Sequence, residues 1–169
     1  MRYSQIRSLD IANGPGCRVS LFVQGCSFHC PGCFNPGTQD FNGGKEFTEE
    51  TMTVLLKLAE PAHISGLSLL GGEPMHPQNR SKVLEIVRQF KKVYPEKSVW
   101  LWTGYLLEDV FEDLVDSEID VVVDGRFVEE LKDLRLKYRG SSNQRVIDFK
   151  ETLRTGDIIL YYMKETDNV

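Results

Sequence analysis

Cys26, Cys30 and Cys33 stand in the run Gly25-Cys26-Ser27-Phe28-His29-Cys30-Pro31-Gly32-Cys33, a Cys-x3-Cys-x2-Cys spacing. Pro31 and Gly32 favour a tight turn, so a loop this short can wrap three thiolates around one compact centre. A [4Fe-4S] cube ordinarily takes one cysteine per iron. Three cysteines therefore leave one iron with an open coordination position, which a catalytic centre requires. Two other readings of the same residues stay open. Cys17 would complete an all-thiolate, four-coordinate zinc site, with His29 as a further ligand candidate. Four inert buried thiols are the other. The chain's four cysteines all lie between positions 17 and 33, and such crowding in a reducing compartment favours metal.

The remaining composition narrows the setting. The chain has 169 residues, 41% hydrophobic and 27% charged, as expected of one soluble globular domain spanning 1–169. A chain of this length buries enough surface to fold without disulfides. Its net charge of -5 is a poor match to nucleic acid, so no nucleic-acid partner is expected. No apolar run approaches the roughly 18 residues of a membrane span, so no membrane partner is expected either. Met1 to Asp10 is polar and mixed, without the apolar core of a signal peptide. The expected location is cytoplasmic.

The reactive residues need elements to position them. Arg18–Gln24 reads as a strand leading into the cysteine loop. Thr48, with acidic residues after it, opens a helix that Pro61 stops. Ile64–Leu70 is uncharged and reads as a strand buried on both faces. Gln78–Tyr94 carries Val83, Ile86, Val87 and Phe90 at helical spacing. Ser98–Thr103 is the next strand, with Trp100 and Trp102 on one face as packing residues. Leu106–Ser117 is an acidic amphipathic helix and Ile119–Asp124 a short strand. Arg126–Lys137 reads as helix and loop, and Val146–Tyr162 as one or two strands. This alternation predicts an α/β fold, a partial, open (β/α) barrel with a mostly parallel sheet. A complete eight-fold barrel would need about 250 residues. Functional groups in such sheets gather at the C-terminal strand ends. The cysteine loop, Gly71-Gly72-Glu73, Thr103-Gly104-Tyr105 and Asp124-Gly125-Arg126 each fall at one.

The chain resembles the radical S-adenosylmethionine superfamily and, within it, the activating proteins of anaerobic (class III) ribonucleoside-triphosphate reductases. The shared segments are Asn13-Gly14-Pro15-Gly16 with Arg18, Leu21-Phe22-Val23 with Gly25-Cys26, and Cys30-Pro31-Gly32-Cys33. Gly71-Gly72-Glu73-Pro74, His76-Pro77-Gln78-Asn79 and Trp100-Leu101-Trp102-Thr103-Gly104-Tyr105 follow. Val123-Asp124-Gly125-Arg126-Phe127 and Arg139-Gly140-Ser141-Ser142-Asn143-Gln144 complete the set. Any one is weak, but eight in order are specific.

The resemblance implies a [4Fe-4S] cluster ligated and made catalytic by Cys26, Cys30 and Cys33, with S-adenosylmethionine as second cofactor. It implies reductive cleavage to a 5′-deoxyadenosyl radical that generates a glycyl radical on the anaerobic ribonucleoside-triphosphate reductase. A reducing electron donor such as flavodoxin is implied as a further partner. The cofactor-binding set implied is Gly32, Cys33, Phe34, Gly71, Gly72, Glu73, Thr103, Asp124, Arg126 and Asn143. Glu73 would face the methionine ammonium and Arg126 the carboxylate. Each residue also has a plain reading: a tight turn with a surface Glu73, a solvated Arg126, an exposed turn at Asn143. Cys17 has no place in the cluster motif. Two other functions stay in view. One is a small radical enzyme acting on a free metabolite, similar to deazaguanine-forming synthases. The other is a non-catalytic zinc-binding module.

Overall fold

The computed structural model describes residues 1–162. Its strands are β1 (Arg2–Asp10), β2 (Cys17–Val23), β3 (Lys45–Glu46), β4 (Ile64–Gly71), β5 (Ser98–Trp102), β6 (Val121–Asp124) and β7 (Arg145–Asp148). The helices are α1 (Glu49–Ala59), α2 (Arg80–Val93), α3 (Leu107–Leu114) and α4 (Phe149–Thr155). All seven strands form one sheet in the order β3-β1-β2-β4-β5-β6-β7. The centre β2-β4-β5-β6 is parallel, and β1 and β7 run against it. The sheet does not close, so the expected open α/β architecture with a mostly parallel sheet is what the chain forms.

Strand alternation divides the sheet into two unlike faces. Val19, Leu21, Val23, Leu67, Leu69, Val99, Leu101 and Val122 point to the helices and pack with Leu55, Ile86, Phe90, Val110 and Phe149 into the main core. Helices stay on that face because each crossover between adjacent parallel strands turns with the same hand. Thr48 caps α1 by accepting from the Thr51 N–H at 3.3 Å. The opposite face carries Arg18, Ser68, Trp100 and Trp102. Trp100 packs there with Val121, Val123 and Tyr138, so the two tryptophans are packing residues.

The two ends of the sheet differ from expectation. β1 is a strand that the polar, mixed run Met1–Asp10 does not announce. It lies near the sheet edge and leaves Gln5, Arg7, Ser8 and Leu9 exposed, so it needs no apolar alternation. Of the one or two strands expected in Val146–Tyr162 one forms, β7, which ends at Asp148, and the helix α4 follows where none was expected. The Asp148 carboxylate accepts from the Glu151 N–H at 3.0 Å and so caps a helix there. The chain returns to the sheet only as an isolated bridge between Ile147 and Leu160. Within Arg126–Lys137 the helical part is a single 3-10 turn, Glu129–Leu131. No helix among the described residues is long and apolar enough to cross a membrane.

Arg18 is fully buried on the face away from the helices. Its Nε donates to Ser68 Oγ at 2.7 Å and Nη1 to Ser98 Oγ at 2.9 Å. Nη2 donates to the Leu67 and Ser98 carbonyls, each at 2.9 Å. Ser68 Oγ passes the chain on to the Asn13 carbonyl at 2.6 Å. Burial lowers the guanidinium pKa to about 10, so it stays charged at neutral pH. One side chain thus ties β2, β4, β5 and the loop after β1. Arg18→Ala should cost about 3 kcal/mol or more, because it leaves several buried acceptors unpaired. Arg18→Lys should recover only part, since one ammonium cannot reach all of them. Urea unfolding checks both, and an Arg18→Ala protein as stable as the parent would contradict this account.

Candidate iron-sulfur and cofactor site

The parallel strands β2, β4, β5 and β6 end on the same edge, and a cavity of about 560 Å³ lies there. Its wall includes Cys26, Cys30, Cys33, Phe34, Gly71, Gly72, Glu73, Thr103 and Arg126. Nine of the residues singled out from the sequence thus share one wall. Gly32, Asp124 and Asn143 do not belong to it.

The cysteine loop is held from both sides. Gly25 N–H donates to the Thr38 carbonyl at 2.8 Å and Cys26 N–H to the Gln39 carbonyl at 3.0 Å. Gln24 Nε2 donates to the carbonyls of Gly37 and Asp40 at 3.0 and 2.8 Å. Between these anchors His29 and Gly32 take positive φ angles of 48° and 67°. Left-handed residues within a short loop turn successive N–H groups inward, which makes an anion-binding concavity. The sulfurs receive them. Cys26 is approached by the N–H groups of Phe28 and His29, and Cys30 by that of Phe127. Asn35 N–H lies 3.4 Å from Cys33 Sγ. Burial pushes the Cys26 thiol up, and burial with neighbouring Cys33 does the same to Cys30. Metal binding must therefore displace protons from these thiols.

This donor set fits an iron-sulfur cube better than zinc. Cys17 opens β2 while Cys26 follows its far end, about 20 Å away at strand spacing. That separation rules out a four-thiolate site containing Cys17, which is half-buried. Among the described residues no group of three His, Cys, Asp or Glu side chains is gathered around a single-ion position. A cube instead spreads its ligands over separate irons. Three thiols on one cavity wall, each with N–H donors, suit such an anionic centre.

Glu73 is the second pole of the site. It is 2% exposed, yet no cation pairs with it among the described residues. Oε1 accepts from Thr103 Oγ1 at 2.6 Å and from Met75 N–H at 2.8 Å, and Oε2 from Gly104 N–H at 2.7 Å. Burial pushes its pKa up to about 7 against those three bonds. The glycines around it allow the close approach. A Cβ on Gly72 would sit 2.6 Å from the Gly25 carbonyl oxygen. One on Gly104 would meet the Phe28 ring at 2.5 Å.

Arg126 lies across the cavity with its guanidinium 4.2 Å over the Phe28 ring. Phe28 in turn meets Tyr105 edge-on at 4.8 Å. Asp124 does something else. It is fully buried, accepts from Leu107 N–H at 2.8 Å, and pairs with Arg145. It thereby fixes the turn that carries Arg126. Asn143 Nδ2 donates to the Arg126 carbonyl at 2.9 Å. Gly32 is exposed at the loop tip, against Glu129. Phe34 is 53% exposed and tilts against Phe127 at 5.0 Å. Sequence reasoning passed over Phe28, whose position between two cysteines was a signal. It also gave no role to Asn79, whose side chain is 2% exposed behind this wall.

Known proteins carry the same pattern. A family model for a 4Fe-4S single cluster domain matches residues 12–147. The anaerobic ribonucleoside-triphosphate reductase-activating protein of Enterobacteria phage T4 is 42% identical over 146 residues, 86% of this chain and 93% of that protein. The protein of that name from Salmonella typhi is 45% identical over 150 residues, 86% and 97% of the two chains. The one from Vibrio cholerae serotype O1 is 43% identical over 157 residues, 88% and 99%.

The Glu73 environment has a consequence for pH. Its folded pKa of about 7 lies above the ordinary carboxylate value of 4.5. The folded state therefore binds this proton more tightly than the unfolded state. The group's contribution is most favourable below about pH 4.5 and is lost as pH rises through 7. Glu73→Gln should gain on wild type in unfolding free energy between about pH 5 and pH 8, whatever constant offset the amide introduces. A difference that does not change with pH in urea denaturation would show that Glu73 titrates normally.

Proposed function

The chain belongs to the anaerobic ribonucleoside-triphosphate reductase-activating protein family, and from that premise we propose that it is a radical S-adenosylmethionine enzyme that makes a glycyl radical on such a reductase. The observation that carries this reading is the sharing of one cavity wall by three thiols and a buried carboxylate that has no cation partner among the described residues. A reduced [4Fe-4S] cluster held there would supply one electron to adenosylmethionine, the chemistry that splits its sulfonium carbon-sulfur bond into methionine and a 5′-deoxyadenosyl radical able to take hydrogen from a glycine α-carbon.

On this reading the protein's own residues bind, orient and shield. Cys26, Cys30 and Cys33 hold the cluster and leave one iron open. Glu73 takes the methionine ammonium, whose charge relieves the cost of burying a lone carboxylate. Thr103 and the Gly104 N–H aim that carboxylate, and Gly71 and Gly72 let the backbone approach. Arg126 takes the carboxylate end, stacked on Phe28. Cys33 and Phe34, both in the cavity wall, face the adenine. Asp124 and Asn143 act through the Arg126 turn. The cavity is open to one side, and Leu134, 80% exposed, stands in its wall. A protein substrate would cover that side and exclude water from the radical. A low-potential donor such as flavodoxin, in the cytoplasm, completes the proposal.

Two experiments test it. Ala replacement of Cys26, Cys30 or Cys33 should abolish cluster assembly, read as iron and sulfide per chain, whereas Cys17→Ala should keep it. Full loading of Cys33→Ala, or its loss in Cys17→Ala, would refute the ligand set. Next, reduced protein, adenosylmethionine and an anaerobic reductase are mixed without oxygen. The reduced-cluster electron paramagnetic resonance signal should change, 5′-deoxyadenosine should form, and a glycyl doublet should appear on the reductase. Cleavage without the doublet would point to a metabolite-directed enzyme instead.

A further inference from the structure

Asn79 stands directly before α2, at the position where an asparagine ordinarily caps its own helix, yet its side chain makes no capping hydrogen bond. It is turned the other way and is 2% exposed. Nδ2 donates to the Gln24 carbonyl at 3.0 Å, the Glu73 carbonyl at 3.0 Å and, more weakly, the Gly25 carbonyl at 3.4 Å. Gln24 and Gly25 are the last residues before Cys26. One amide therefore joins the backbone that delivers the thiols to the backbone that delivers the buried carboxylate. A residue that forgoes a local stabilising role for a tertiary one marks a functional constraint.

We propose that Asn79 is a positioning residue that sets the spacing between the cluster and Glu73. The proposal rests on the reading of the cavity above, in which one ligand must reach the open iron and the Glu73 carboxylate together. Such a two-point ligand is sensitive to the distance between its anchors. Two contacts already link these loops: Glu73 N–H donates to the Gly25 carbonyl at 2.8 Å, and Gly72 N–H to the Val23 carbonyl at 2.9 Å. Both are backbone bonds between the ends of β2 and β4. Asn79 adds a side-chain support to them, bonding the Gln24 carbonyl of one loop and the Glu73 carbonyl of the other in a buried site.

A residue needed only for stability would weaken everything at once, whereas a positioning residue acts on the ligand. The test uses the reconstituted full chain with Asn79→Ala and Asn79→Ser. Both variants should load iron and sulfide as wild type does and give the same reduced-cluster spectrum on their own. Their affinity for adenosylmethionine, titrated by the change in that spectrum, should fall roughly 10- to 100-fold, as for other groups supporting a metal centre from outside. Amide hydrogen exchange should quicken at Gly25, Cys26 and Glu73 while α2 stays protected. The proposal is overturned if either variant that loads its cluster answers adenosylmethionine as wild type does. Loss of the cluster in both variants, or faster exchange throughout α2, overturns it too, because Asn79 would then serve the fold. If wild type itself shows no response to adenosylmethionine, the reading of the cavity fails and this proposal falls with it.

Discussion

The hydrogen bond from Glu73 N–H to the Gly25 carbonyl, at 2.8 Å, is the contact on which the rest of the site depends. It joins the segment entering the cysteine loop to the segment that buries the carboxylate. The bond is available because β2 and β4 are parallel neighbours and end at the same level, Val23 beside Gly71. It also requires a residue without a side chain at position 72, where any Cβ would collide with the Gly25 oxygen. The topology brings the loops side by side, and glycine lets them touch. A larger residue there would push apart the cysteine loop and the segment that carries Glu73.

Charge explains why those poles are built differently. Glu73 has three donors but, among the described residues, no cation, so its ionised form is held against a substantial burial cost. On the proposed reading, an incoming ammonium removes that cost and finds in the buried carboxylate a selective receptor. Arg126 is exposed and stacked on an aromatic ring rather than buried in an ion pair. On the proposed reading its donors meet a carboxylate. On the proposed reading, a zwitterion is thus recognised by a stiff, desolvated anion at one end and an adaptable cation at the other. The stiffness comes from strand ends and backbone donors, the adaptability from the turn braced by Asp124 and Arg145.

The central elements were legible because their signals are local. Thr48 with acidic residues after it, and Val83, Ile86, Val87 and Phe90 at helical spacing, announce α1 and α2. The uncharged run at Ile64 announces β4. β1 was not legible, since a strand next to the sheet edge with exposed Gln5, Arg7 and Ser8 has no pattern to read. α4 was missed because Asp148, closing a strand, also caps a helix. Within the site, the cysteine spacing and the Gly-Gly-Glu run could be read directly. The resemblance placed Asp124 and Asn143 against a ligand, whereas the fold turns both onto the chain itself. An aspartate at a strand end serves either purpose, and only the position of Arg145, distant in sequence, decides which.

The cavity wall has two halves of unlike character, and the difference bears on what closes it. The strand ends supply thiols, carboxylate and glycine backbone from a rigid sheet. The other half comes from residues 127–144, which contain no regular element beyond one 3-10 turn. That segment is nevertheless fastened. Gln144 accepts from Gly140 N–H at 2.8 Å and donates to the Gly125 carbonyl at 2.9 Å, so its two ends are tied together. Trp102 Nε1 holds the Tyr138 carbonyl at 2.7 Å. Between these ties Leu134 is left 80% exposed at the wall. A half-wall fixed at its ends and apolar at its free side does not itself seal the cavity. On the proposed reading, chemistry that must exclude water, housed in an open sheet, would make the protein substrate part of the active site.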